Sequence, residues 1–350
     1  MLRTAVLSES GLRELLGRIC EKSRLMAPAK RGKTSYDFQW IEDPADVQIG
    51  YSRTVLPPKQ AFVPPREPIL DFSVDAATPA KPVLDEEPFV LFGIHACDLQ
   101  GINLLDWAMG QRHGVPDPYY LARRRAATIV GVECEPDEYC FCTSVDSADT
   151  REGADLYLTP INGNYLVEVL TEKGEALLKD APDAREATAE EQSAAADVVA
   201  QRKQQQKTKI NAAMKDLPDV LESQYGSDIF EQTAARCYSC GTCTNVCPTC
   251  FCFDVDDEVD LLLQHGTRTR KYDSCQFQDF ALVAGGHNFR REREDRVRHR
   301  WFRKFVYLLR EHGQPFCVGC GRCSSACTAD ISLVDVMNSV LAEAREEVAR

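Results

Sequence analysis

The 350-residue chain predicts a mixed α+β fold: an N-terminal α/β domain followed by a mostly helical, cysteine-dense domain. Three observations carry this expectation. Short apolar runs of strand length alternate with helically spaced stretches through residues 1–180. Residues 181–225 then turn rich in Ala, Glu, Gln and Lys. Most of the 16 cysteines follow residue 226. The predicted organisation is therefore 1–180 as the α/β domain, 181–225 as a helical linker, and 226–350 as the cysteine-rich domain.

The elements follow in order. In MLRTAVLSESGLRELLGRICEKSRL, Leu12, Leu15, Leu16 and Ile19 fall at helical spacing, and the segment carries Glu9, Glu14 and Glu21. That is an amphipathic structural helix rather than a targeting peptide. Cys20 lies within it and is expected to be a core residue. PFVLFGI (88–94) and AATIVGV (126–132) read as buried strands, with the helically spaced NLLDWAMG between them. LYLTPI, then Asn162-Gly163-Asn164, then YLVEVL reads as a β-hairpin. The stretch 181–225 has helix propensity and few large apolar residues. It reads as a long, partly exposed helix, or alternatively as a surface helical hairpin of the first domain. RREREDRVRHRWFRKF (290–305) places Val297, Trp301, Phe302 and Phe305 on one helical face. Asp330 is an N-cap candidate for a terminal helix bearing Ile331, Val334, Met337, Val340 and Leu341.

Composition narrows the function classes. A net charge of -13 argues against general affinity for nucleic acid or anionic lipid. No apolar run reaches the ~18 residues of a membrane span, and a cytoplasmic location is expected. Thiols there stay reduced, so dense cysteine points to metal rather than disulfides. With only 6 His, none at finger-like spacing, the site chemistry is thiolate chemistry, which suits iron–sulfur clusters or zinc.

Cys237-x2-Cys240-x2-Cys243-x3-Cys247-Pro248 has the bacterial ferredoxin spacing, and it recurs at Cys317-x2-Cys320-x2-Cys323-x3-Cys327. Three thiols on a tight loop cap one cubane, and the fourth, where the chain turns into a helix, reaches the other cluster. Cys237, Cys240, Cys243 and Cys327 are thus expected to hold one 4Fe-4S cluster, and Cys317, Cys320, Cys323 and Cys247 a second. Gly241, Gly319 and Gly321 let the loop backbone approach the sulfurs. Zinc ribbons also use Cys-x2-Cys pairs but need neither the third cysteine nor the Cys-Pro. Thr328 replaces that proline in the second repeat. The two repeats are separated by an unusually long inserted segment, expected to be helical. Its basic run is expected to be a structural helix that eases cluster reduction or serves docking, not a nucleic-acid contact.

Cys97 ends the first strand-like run, and Cys134, Cys140 and Cys142 follow the second. Together they form one complete ligand set at strand ends, a candidate third cluster. Cys250, Cys252 and Cys275 remain. They are read as ligands of a further cluster lacking a fourth thiolate, as thiols lining the two-cluster site, or as exchangeable ligands of the third cluster. His95 beside Cys97 is read as a satisfied histidine or a donor to cluster sulfur rather than half of a catalytic dyad.

Several stretches together carry a family resemblance: YSRTVLPPKQAF (51–62), FGIHACDLQGINLLD (92–106), CEPDEYCFCTS (134–144), CPTCFCFD (247–254), DSCQFQDFALVAGGHNFRR (273–291) and CVGCGRC (317–323). They resemble the iron–sulfur β subunit of soluble nickel–iron sulfhydrogenases and its counterpart, the iron–sulfur electron-transfer chain of the anaerobic sulfite reductase. The resemblance implies an electron-transfer role within a larger complex. The partners would be a flavin subunit handling NAD(P)H and a catalytic partner, either NiFe hydrogenase subunits or a sulfite reductase subunit. Related chains serve flavin-linked modules of heterodisulfide reductases.

The residues agree with a relay. No G-x-G-x-x-G follows a strand, no P-loop is present, and no catalytic constellation stands out, so no catalytic residue is assigned. Two other readings compete: a subunit that itself reduces a sulfur substrate at an open cluster or at the Cys250/Cys252/Cys275 trio, and a zinc-bearing scaffold.

Overall fold

The structure, a computed structural model, describes residues 3–73 and 80–349. The first half is a three-layer α/β unit. Strand β1 (Arg3–Ser8) leads into α1 (Glu9–Lys22), where Ser8 Oγ caps the helix by accepting from Gly11 N at 2.9 Å. The chain continues through β2 (Arg24–Lys30), β3 (Tyr36–Trp40), β4 (Arg66–Ser73) and β5 (Lys81–Pro82). Then come β6 (Phe89–Ile94), α2 (Ala96–Gly110), α3 (Pro118–Ala126), β7 (Ala127–Val132), β8 (Leu156–Ile161) and β9 (Asn164–Val169). After α4 (Glu172–Leu178), β10 (Arg185–Glu186) completes an eight-stranded sheet of order β10-β1-β9-β8-β7-β6-β2-β3.

The centre of this sheet, β2-β6-β7-β8, is parallel, which explains its continuous apolar sequence: both faces are covered. Val90 and Phe92 pack with Leu12 and Leu16 of α1. Phe89 and Leu91 pack with Leu99, Ile102 and Leu105 of α2. The expected hairpin is present, with Asn162 at φ 46° and Gly163 at φ 78°, the doubly left-handed turn that matches strand twist. Adjacent parallel strands bring their carboxyl ends together: Ile94 pairs with Gly131, and Cys97 and Cys134 each lie three residues beyond.

Three expectations are corrected. First, residues 185–205 are not a free linker. β10 pairs with β1, and α5 (Ala189–Gln205) lays Ala195 against Val6, Ile161 and Leu166. The contact is made by small side chains, so no large apolar stripe marks it in the sequence. Second, the insertion between the repeats begins as a β-hairpin rather than a helix. β11 (Phe253–Val259) and β12 (His265–Tyr272) join β4 and β5 in a second sheet of order β11-β12-β4-β5. β11 alternates Phe253, Val255 and Val259 with acids but leaves them exposed, and β12 buries the polar Thr269 and Arg270, so no apolar core face marks the hairpin. Third, the terminal helix is not capped by Asp330, which sits at φ 49°. Ser332 Oγ accepts from Asp335 N at 3.1 Å instead.

The second half packs α6 (Leu217–Ser223), α7 (Asp228–Arg236), α9 (Arg293–Phe302) and α12 (Leu333–Ala349) around Leu221, Phe230, Val297, Trp301, Phe302, Phe305 and Met337. Between α7 and α9 the single turn α8 (Thr242–Asn245) precedes β11. A π-helical turn, Arg303–Tyr307, continues α9 into α10 (Leu308–His312), followed by the single turn α11 (Arg322–Ser325). Among the described residues no helix is long and apolar enough to cross a membrane.

Glu67 on β4 holds the hairpin to the first domain. It is 2% exposed and is paired with Arg123 of α3 at 2.5 Å and Arg270 of β12 at 2.7 Å. Glu67→Ala leaves two buried guanidinium groups short of a counter-charge, and is expected to cost about 3–5 kcal/mol. Hydrogen exchange should show β4, β11 and β12 losing protection while β6 and β7 retain theirs.

Candidate metal centres

The two cysteine repeats fold alike. After Cys237 the chain passes Ser239 (φ 55°) and Cys240 to Gly241 (φ 75°), which opens α8 with Cys243. Gly241 O accepts from Thr244 N at 3.0 Å and Asn245 N at 3.1 Å, and Cys247 N donates to Thr244 O at 3.2 Å. In the second repeat Gly321 (φ 71°) opens α11 with Cys323; its carbonyl accepts from Ser324 N and Ser325 N at 3.1 Å, and Cys327 N donates to Ser324 O at 3.2 Å. A repeated sequence thus makes a repeated hydrogen-bond pattern.

One pocket is lined by Cys237, Cys240 and Cys243 together with Cys323 and Cys327 of the other repeat. Cys247 instead lies within electrostatic reach of Cys317 and Cys320. Burial pushes the Cys317 thiol up to about 12 against Lys304, and the Cys320 thiol up to about 11 against Arg322. Burial likewise raises Cys243 to about 12. Such thiols stay protonated until a metal displaces the proton. Cys247 is held low, by a hydrogen bond with Cys250 and then by Lys304 and Arg300. The exposed Cys240 is lowered by Thr242. Among the described residues no three His, Cys, Asp or Glu groups converge on a single ion-sized point.

Cys97, Cys134, Cys140 and Cys142 also gather. Cys97 stands on the first turn of α2 and is influenced by Cys142, Cys320 and Cys134. Cys140 is influenced by Cys142 and Cys134. Gln206, just past α5, donates from Nε2 to Cys142 Sγ at 2.8 Å while its Oε1 accepts from Thr143 N at 3.1 Å. Burial lifts all four thiols, Cys142 to about 11. His95 stacks on Tyr51 with ring centres 4.2 Å apart, and its Nε2 is buried without a hydrogen-bond partner. Burial, then Arg322 and Arg202, lowers it to about 3, so it is a neutral imidazole.

This set is locked to the second repeat. Phe141 N donates to Gly319 O at 2.8 Å and Ser147 Oγ to Val318 O at 2.6 Å. A Cβ on Gly319 (φ 65°) would sit 2.5 Å from the Cys142 backbone, and one on Gly321 2.6 Å from Tyr139. Arg322 forms a bidentate pair with Asp98 at 2.6 and 2.7 Å and also donates to Thr54 O at 3.0 Å.

Buried cations complete the site. Arg300, Lys304 and Lys59 are 5%, 4% and 3% exposed. Lys304 Nζ lies 3.2 Å from Cys247 Sγ and donates to Thr249 Oγ1 at 3.0 Å and Phe316 O at 2.8 Å. Lys59 Nζ donates to Cys250 O at 2.7 Å. Both terminal nitrogens of Arg300 are buried without a hydrogen-bond partner, and Cys243, Cys323, Cys250 and Cys247 surround it. A buried guanidinium without a carboxylate fits an anionic neighbour, and a thiolate-bound iron–sulfur cluster is one. The cysteines were legible in the sequence, and the basic run 290–305 was expected to act on the clusters; which of its members face the thiols was not, nor was Lys59. Asp98 and Arg322 adjoin Cys97 and Cys323, and Arg300 and Lys304 lie four apart on one helical face, which is the signal available. Gln206 had none.

Residues 236–331 match the 4Fe-4S dicluster domain. The chain is an iron–sulfur protein with an electron-transfer role. Over 328 residues it is 37% identical to sulfhydrogenase 2 subunit beta of Pyrococcus furiosus, a match covering 93% of this chain and 95% of that one. The chain belongs to that β-subunit family.

Gly319→Ala introduces both left-handed strain and a backbone clash, expected to cost about 2–5 kcal/mol. Gly226→Ala, where a Cβ meets nothing within 4 Å, serves as control. Denaturant titration under anaerobic conditions should separate the two variants.

Proposed function

We propose that the chain is the iron–sulfur relay of a cytoplasmic multisubunit oxidoreductase, set between an NAD(P)H-linked flavoprotein and a nickel–iron hydrogenase partner. In this reading Cys237, Cys240, Cys243 and Cys327 hold one 4Fe-4S cluster and Cys317, Cys320, Cys323 and Cys247 a second. Cys97, Cys134, Cys140 and Cys142 hold a third. The clusters, when bound, supply one-electron chemistry at low potential. The protein's part is to fix their spacing, shield them and set their charge.

One observation carries the reading: the thiol sets are contiguous. Cys97 feels Cys320, and Cys243 feels Cys323, so the row runs from the strand ends through the second repeat to the first. At its far end Cys240 is exposed and Tyr238 is 69% exposed, a surface open to electron exchange with another protein of the complex. Arg300 and Lys304 bias the row towards reduction by opposing the negative charge each electron adds.

The test uses the complex purified anaerobically with its flavin and catalytic subunits. Cys240→Ser is expected to cut NAD(P)H-linked turnover by about tenfold or more, while viologen-linked activity of the catalytic partner is unchanged. Unchanged NAD(P)H-linked turnover would contradict the relay. So would reduction of sulfite or polysulfide by the isolated chain with an artificial donor, which favours the competing reading of a sulfur-reducing subunit.

A further inference from the structure

We propose that Cys250, Cys252 and Cys275 hold an additional iron–sulfur cluster through three thiolates, beside the second ferredoxin repeat and distinct from the sets above. The inference rests on the relay reading for its chemistry but on separate residues.

The three thiols are brought together by the unpredicted hairpin. Cys252 precedes β11 and Cys275 follows β12, and Asp273 N donates to Cys252 O at 3.1 Å to close the hairpin base. The Cys252 and Cys275 thiols share one pocket and act on each other electrostatically. Cys250 opens onto the same pocket, whose wall also includes Arg300, Arg303 and Lys304 and no Asp or Glu. Gln276 Nε2 lies 3.6 Å from Cys275 Sγ, a donor aimed at sulfur. Lys59 reaches in from the first domain through the Cys250 carbonyl.

Charge decides what the trio holds. Arg300 and Lys304 also face the second repeat, whose cluster would answer part of their charge. Lys59 lies between the second repeat and the trio, with Cys250, Cys247 and Cys252 acting on it, and Arg303 faces the trio, acting on Cys252 and Cys275. A neutral trio leaves Arg303 and part of the buried Lys59 charge unanswered. A Cys252–Cys275 disulfide is neutral too, and leaves Cys250 with Cys247 as its thiol neighbour. Structural zinc takes four protein ligands, and only three are present. A cluster bound by three thiolates is anionic, uses every thiol, and releases three protons to solvent on binding. One iron is then left without a protein thiolate, unlike the clusters of the four-cysteine sets.

That difference is the test. The full-length protein, purified anaerobically, is oxidised mildly with ferricyanide and examined by EPR. A cubane with one iron lacking a thiolate sheds that iron and gives a three-iron signal. The signal is expected in the native protein and lost in Cys275→Ser, together with about four irons and four sulfides per chain. The reduced-state signals of the ferredoxin repeats should persist, which separates failure here from failure of the relay reading. Absence of the three-iron signal from the native protein overturns the proposal even if the variant does not fold. Unchanged iron and sulfide in a folded Cys275→Ser, or a native disulfide between Cys252 and Cys275, overturns it as well.

Discussion

Buried positive charge is the constraint on which the rest of this structure turns. Arg300, Lys304 and Arg322 are almost wholly shielded from water, yet only Arg322 has a carboxylate, Asp98. Leaving a guanidinium and an ammonium in the protein interior without compensation costs several kcal/mol each. Thiolate-bound clusters on the proposed thiol sets would supply the missing negative charge. Cluster binding and folding of the second half are therefore linked, as for metal sites in general. The same cations that need the clusters for stability also favour their reduction, so one arrangement serves both the fold and the chemistry.

The second organising feature is the seam between the two halves. Gly319 and Gly321 let the second repeat press directly on the 139–142 loop, and the Arg322–Asp98 pair fixes its angle. Asp98 adjoins Cys97, and Arg322 adjoins Cys323, so a single ion pair sets the relation between two thiol sets. The hairpin β11–β12 crosses the seam in the opposite direction, docking on β4 through Glu67. Residues distant in sequence are thus clamped twice, with the cysteines lying between the clamps. Electron transfer depends steeply on separation, and this double closure holds that separation against thermal motion.

Much of the fold was legible because burial writes itself into sequence. β6 and β7 read as unbroken apolar runs since both faces are covered, and Asn162-Gly163 announced its turn. The cysteine spacing likewise announced the repeats, because covalent reach leaves few ways to wrap a cubane. What was not legible came from long-range docking. Ala195 packs α5 with a side chain too small to signal, and the apolar residues of β11 stay exposed while β12 buries polar ones. The meeting of Cys252 with Cys275 depends on that hairpin, so spacing alone left the trio unexplained. Arg300, Arg303 and Lys304 stood in a basic run whose other arginines include Arg298, paired with Glu294 and Asp295, and Arg296, and only packing distinguishes them. Among those others, Arg296 donates to the carbonyls of Gln276 and Arg290.

Clusters on thiol sets that form one contiguous row hold paramagnetic centres close enough to couple to one another. EPR of the fully reduced, anaerobically purified protein reads that coupling. Broadened, split signals are expected at full reduction, simplifying to separate, uncoupled spectra at partial reduction. A fully reduced spectrum equal to the sum of isolated signals would contradict the contiguous row, as would an EPR-silent protein containing zinc without acid-labile sulfide.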